Sequence, residues 1–115
     1  MNTVPKKYLF IMNLNLIGNK MDFSTLRNEL MRRSLEHIPI IEDSADTIGA
    51  MLNNKPTGHY TDVSITSFYG SHILSCAGNG GMFMTNDKKL FERAKVLRSW
   101  GRMSTLVKDA ENIKK

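Results

Sequence analysis

The chain has 115 residues, enough for one domain and too few for two, and its 41% hydrophobic and 23% charged content excludes disorder and a membrane-spanning chain. Sixteen Lys and Arg against eleven Asp and Glu leave a formal charge of +5. The basic residues pair only at Lys6-Lys7, Arg32-Arg33, Lys88-Lys89 and Lys114-Lys115, without interleaved aromatics, so we expect solubility and no nucleic-acid binding. No apolar stretch nears the roughly 18 residues of a membrane helix, so no membrane association is expected. The lone cysteine, Cys76, offers neither a disulfide partner nor a metal-binding spacing, which points to a reducing, cytoplasmic compartment and to no metal. Lys6-Lys7 followed by Tyr8 to Ile17 superficially suggests a signal peptide. Asn13 and Asn15 interrupt that run and no A-x-A cleavage signature follows, so a strand is the better reading.

Taken in chain order, Tyr8-Leu9-Phe10-Ile11-Met12 is an apolar run too short for a helix, the pattern of a parallel strand covered on both faces. Gly18 and Asn19 break it. From Asp22 the spacing of Phe23, Leu26, Leu30 and Met31 predicts an amphipathic helix ending near His37. Ile38-Pro39-Ile40-Ile41 reads as a second buried strand with Glu42 and Asp43 at its carboxyl end. The cluster Asn53-Asn54-Lys55-Pro56-Thr57-Gly58 is a turn. Val63 to Phe68 alternates apolar and hydroxyl residues as a third strand, and Met82 to Thr85 is a fourth. Between them, Gly70 and Gly78-Asn79-Gly80-Gly81 bracket a loop. A last helix, capped by Asn86 or Asp87, places Leu90, Phe91, Ala94 and Leu97 on one face and ends before Gly101. Residues 1–102 form the structured unit, while 103–115 are a polar tail or the start of a missing segment.

Strand, helix and strand in this order define an α/β fold with a partial, mostly parallel sheet flanked by helices. Ligands of such sheets bind beyond the carboxyl ends of the strands, where Glu42, Asp43, Asp46, Ser67 and His72 gather. Each has an ordinary structural explanation by itself: Asp43 as a turn cap, Ser67 as a strand residue, His72 as a satisfied loop histidine. The glycine-rich run 77–81 lets backbone approach a phosphate, but it lacks a GxGxxG or GxxxxGK[ST] pattern.

Several blocks together carry a resemblance. The run from Ile38 to Ala50, the strand Asp62 to Phe68, Gly80-Gly81, and Leu97-Arg98-Ser99-Trp100-Gly101-Arg102 are similar to the DegT/StrS-type sugar-nucleotide aminotransferases. These are pyridoxal-phosphate enzymes with the fold of aspartate aminotransferase (fold type I), and the match spans about Lys7 to Arg102. The resemblance implies a partial large domain and, position by position, cofactor-binding residues. Asp43 stands where the family's carboxylate pairs with the protonated pyridine nitrogen, the contact that makes the ring an electron sink. Asp46 stands three residues on, where a Gln, Glu or His lies close to the ring, and Ser67 matches the serine that donates to the cofactor phosphate.

One position departs from the pattern. The family's Ser-Phe-x-x-x-Lys motif, whose lysine bonds the cofactor covalently, is here Ser67-Phe68-Tyr69-Gly70-Ser71-His72. An imidazole cannot make that link, but it can take and return a proton near neutrality. His72 thus resembles the lysine-to-histidine change of the sugar-nucleotide 3-dehydratases, which use pyridoxamine 5'-phosphate in place of pyridoxal 5'-phosphate. In them the cofactor amine condenses with a 4-keto sugar, the histidine acts as the catalytic base and the neighbouring hydroxyl is expelled. The next segment departs from both subgroups, since the usual Thr-x-Glu-Gly-Gly is replaced by Cys76 to Gly81.

The implied function is 3-dehydration of a nucleotide-linked 4-keto-6-deoxyhexose in an intact enzyme of deoxysugar biosynthesis. The alternatives are an aminotransferase homologue, or an inactive remnant acting only as an interaction partner. The family's catalytic unit is about three times this length, so the isolated chain is expected to be incomplete, and its implied partners are a second copy or an intact homologue.

Overall fold

In the computed structural model, residues 10–15 and 19–102 are described. The expected strand residues Tyr8 and Leu9, the breaking Gly18 and the tail 103–115 lie outside them. Strand β1 is Ile11–Leu14, followed by helix α1 (Phe23–Arg32) and strand β2 (Ile40–Asp43). A small hairpin, β3 (Met51–Leu52) and β4 (Lys55–Pro56), precedes β5 (Val63–Ser67), β6 (Gly81–Thr85) and α2 (Lys88–Arg98). The main sheet has the order β1-β2-β5-β6. β1, β2 and β5 run parallel, and β6 adds an antiparallel edge. The expected α/β fold with a partial, mostly parallel sheet is therefore the observed one.

α1 begins where Asp22 accepts from the backbone N–H of Thr25 at 3.0 Å. Hydrogen bonds from the Ser24 and Thr25 hydroxyls hold the Asp22 carboxyl down at about 2, because each stabilises the ionised form. Arg32 and Arg33 reach back one turn and lower Glu29 to about 2, while Glu29 pushes the Arg32 guanidinium up. The helix stops earlier than the expected His37. Ser34 adopts φ +57, its N–H donates to Met31 at 3.0 Å, and Leu35 N–H donates to Leu30 at 2.8 Å. That pair of bonds is a Schellman ending, which satisfies the last carbonyls and turns the chain toward Ile38.

Phe23, Leu30 and Ile40 form the core, with Ile11, Met21, Leu26, Leu35 and Tyr60 packed around them. α1 therefore covers the sheet face that carries Ile11 and Ile40. Met31 does not join the stripe and is exposed. Arg27 ties the helix down: its guanidinium donates to Tyr60 O at 2.9 Å and to Asp62, whose carboxylate also accepts from Ile40 N–H at 2.8 Å.

Other expectations need correction. β1 is not covered on both faces: Phe10, Met12 and Leu14 are 52%, 54% and 51% exposed, because α1 packs on the alternate residues. β2 starts two residues after Ile38 and includes Glu42 and Asp43, since its pairing with β1 runs from Ile40 to Asp43. The turn cluster holds a hairpin, in which Asn53 (φ +50) and Asn54 (φ +58) make a two-residue turn of the primed type. In α2, capped by Asp87 as expected, the buried residue is Val96, while Leu90, Phe91 and Leu97 are exposed.

Candidate functional site

The period-two alternation of β2 decides which acid goes where. Glu42 is 1% exposed and lies on the α1 face, paired across the sheet with Ser64. Asp43 lies on the opposite face, paired with Ile65, and Ser67, two residues beyond Ile65, shares that face. The acids that stand side by side in sequence thus have separate surroundings.

Glu42 anchors a buried polar network. Asn15 Nδ2 donates to Glu42 Oε1 at 2.8 Å and to Thr47 Oγ1 at 3.0 Å. Gly58 N–H donates to Glu42 Oε2 at 2.7 Å. Asn15 Oδ1 accepts from Met21 N–H at 3.2 Å and from Asn13 Nδ2 at 3.1 Å, which fixes the orientation of the amide. Among the described residues no buried side-chain polar atom lacks a partner, so the network is closed and holds rigid geometry.

A second set of bonds fixes the turn after β2. Ser44, fully buried, donates from its N–H to Ile65 O at 2.8 Å and from its hydroxyl to the same oxygen at 2.9 Å. Thr66 Oγ1 donates back to Ser44 O at 3.3 Å. Thr57 Oγ1 donates to Thr47 O at 2.8 Å. The turn 44–47 is therefore pinned at both ends, and Asp46 projects from a fixed backbone.

The loop between β5 and β6 returns to the same region. Phe68 N–H donates to Gly80 O at 2.8 Å, and Cys76 N–H donates to Phe68 O at 3.3 Å. A side chain on Gly81 would place its Cβ 2.9 Å from Thr66 O, so glycine there allows β6 to approach β5. His72 sits in this loop. Its N–H donates to Tyr69 O at 3.0 Å, its ring meets the Tyr69 ring edge-on at 6.2 Å, and Nδ1 lies 3.2 Å from Asp46 Oδ1.

The structure thus brings Asp46 and His72 into contact, three residues along the chain from Asp43. Asp43 Oδ1 accepts from Ala45 N–H at 3.1 Å, and Oδ2 has no partner among the described residues. Ser67 Oγ accepts from Tyr69 N–H at 3.2 Å and keeps its own proton for another acceptor. One groove, lined by Thr66, Met82, Phe83, Phe91, Lys95 and Arg98, lies between β6 and α2 and includes none of these four residues. Sequence reasoning missed Asn15, Ser44, Thr47 and Ser64. The available signal was Asn15 itself, a polar residue inside an apolar run.

A parallel sheet with an antiparallel edge strand is the arrangement of part of the large domain in fold type I pyridoxal-phosphate-dependent enzymes, solved examples of which superpose on this chain with TM-scores of 0.72 and 0.77. The DegT/DnrJ/EryC1/StrS aminotransferase family profile matches residues 2–113, and the chain belongs to that family. It is 34% identical over 91 residues to the dTDP-3-amino-3,4,6-trideoxy-alpha-D-glucose transaminase of Streptomyces venezuelae, covering 79% of this chain and 23% of that protein. It is 35% identical over 91 residues to the GDP-perosamine synthase of Caulobacter vibrioides, covering 79% of this chain and 24% of that one. The solved E. coli GDP-4-keto-6-deoxy-D-mannose-3-dehydratase with bound hydrated PLP superposes with a TM-score of 0.77 at 27% identity, covering 91% of this chain and 26% of that structure. The chain thus spans about a quarter of the length of the relatives it matches.

Proposed function

We propose that this chain is part of a vitamin-B6-dependent sugar-nucleotide enzyme whose intact form removes the 3-hydroxyl of a nucleotide-linked 4-keto-6-deoxyhexose as water. The observation that carries the reading is His72, an imidazole hydrogen-bonded at the strand ends where the family's pattern has a lysine. The loop from Tyr69 to Gly81 contains no lysine, so no amine is available there to hold a cofactor covalently.

The donor set fits a pyridoxal-type group. Asp43 offers a partly exposed oxygen with no partner among the described residues, suited to a protonated ring nitrogen, a charge-assisted bond of about 1.5–3 kcal/mol. Ser67 has a hydroxyl proton to give to a phosphate. When bound, pyridoxamine 5'-phosphate supplies an amine for the keto carbon and a ring that accepts electrons. His72 takes the proton released at the reacting carbon and returns one to the departing hydroxyl, which leaves as water. Asp43 would be the carboxylate that holds the ring nitrogen in its protonated form.

The aminotransferase reading has support in the names of the curated relatives, a transaminase among them. His72 argues against it, because transamination requires an amine at that position. In either case the proposed partners are a nucleotide-linked keto sugar and a second copy or an intact homologue, and the proposed compartment is the cytoplasm.

The test adds pyridoxamine 5'-phosphate and a nucleotide-linked 4-keto-6-deoxyhexose to the purified, folded chain, alone and with an intact homologue. A difference spectrum in the near ultraviolet and visible, with loss of the 3-hydroxyl in the product, is the expected result. Folded protein that gives neither, in both mixtures, refutes the assignment.

A further inference from the structure

We propose that Asp46 acts on His72 and not on a cofactor ring: it is the positioning residue that fixes which imidazole nitrogen carries the proton. This rests on the reading of His72 as the group that moves a proton. The geometry is direct, with Asp46 Oδ1 3.2 Å from His72 Nδ1. A carboxylate can only accept, so the nitrogen facing it carries hydrogen and neutral His72 is the Nδ1–H tautomer. Nε2 then holds the free lone pair, and it has no partner among the described residues.

The two residues are well placed for such a role because their backbones are fixed independently. The turn bearing Asp46 is held by Ser44 on Ile65 O and by Thr57 on Thr47 O. The loop bearing His72 is closed by Phe68 on Gly80 O. Apart from Asp46, the only ring packed against the imidazole among the described residues is Tyr69, edge-on at 6.2 Å, which donates nothing to Nδ1. The side chains are 26% and 42% exposed, so solvent screens the charge and the contact acts mainly on orientation and tautomer. When Nε2 takes a proton, the carboxylate is already in place beside the imidazolium.

The test is long-range proton–nitrogen NMR on the full, nitrogen-15-labelled chain at about pH 8, where a solvated imidazole is neutral. The three histidines are separated with a His72→Gln variant. The expected spectrum has a protonated Nδ1 and a bare Nε2 for His72. Asp46→Ala moves the population to the Nε2–H form, and Asp46→Glu, which keeps a carboxylate, restores part of the original form. If Asp46→Ala does not fold by circular dichroism, Asp46→Leu serves instead, because it keeps the side-chain bulk and offers Nδ1–H no acceptor. A wild-type Nε2–H tautomer, or no change on losing the carboxylate, overturns the proposal. A wild-type Nδ1–H tautomer together with full turnover by His72→Gln in the completed enzyme overturns the proton-transfer reading and the catalytic half of this inference, and leaves the contact standing.

Discussion

Replacing Glu42 tests whether the buried network holds the strand end that presents Asp43. In Glu42→Leu, the half-buried Gly58 N–H and one Asn15 N–H lose acceptors at 2.7 and 2.8 Å, and the Glu42 and Asn15 side chains are each 1% exposed. An unmet buried donor costs about 1–3 kcal/mol, so two cost roughly 2–6 kcal/mol. Relief of the carboxyl group's own desolvation offsets part of this, leaving an expected loss of about 2–4 kcal/mol. Against a typical total of about 5–15 kcal/mol, that is enough to unfold a marginal chain. Glu42→Gln keeps one accepting oxygen. The Asn15 amide cannot turn to help, because its Oδ1 already accepts from Met21 and Asn13. One donor is then opposed by another, and the expected loss is about 1–3 kcal/mol. Urea unfolding followed by far-ultraviolet circular dichroism reads this directly. With a slope of about 1–3 kcal/mol per molar, the glutamine variant should lower the midpoint by about 1 M and the leucine variant by more. Midpoints for both variants within about 0.2 M of wild type, far inside the shift that slope implies, would show that Glu42 does not hold these donors.

Three further outcomes are expected. Gly81→Ala forces a Cβ to 2.9 Å from Thr66 O and should cost about 1–3 kcal/mol by prying β6 from β5; an unchanged unfolding midpoint would refute the close approach. Asp22 and Glu29, both lowered to about 2 from 3.8 and 4.5, contribute stability that is complete above about pH 5 and lost as pH falls toward about 2; midpoints measured across that range should decline, and Asp22→Asn with Glu29→Gln should flatten the decline. His72→Lys should bring the long-wavelength absorbance of covalently bound pyridoxal 5'-phosphate if position 72 faces the cofactor, and a colourless folded variant would place it elsewhere.

Much of the architecture was legible because it follows from local periodicity. The alternation at Val63–Ser67, the helical spacing of Phe23, Leu26 and Leu30, and the Asp87 cap are each set by residues close in sequence, and all appear in the fold. The boundaries were less legible. The end of α1 at Arg32 depends on Ser34 entering a left-handed conformation, and the start of β2 at Ile40 depends on pairing with Ile11 of β1, over twenty residues earlier. The hairpin at 51–56 was hidden because its two-residue strands are too short to show a period.

The sequence by itself determined the fold class, the family resemblance and the residue types at the strand ends, since motif spacing and apolar pattern are properties of the chain. Only the tertiary structure decided that Glu42 and Asp43 serve opposite faces, one inside a closed network and one at the open end. It alone brought Asp46 to His72, 26 residues apart. The physical reason is that sheet register and loop return, not sequence proximity, determine which side chains share a surface and which hydrogen bonds they can complete.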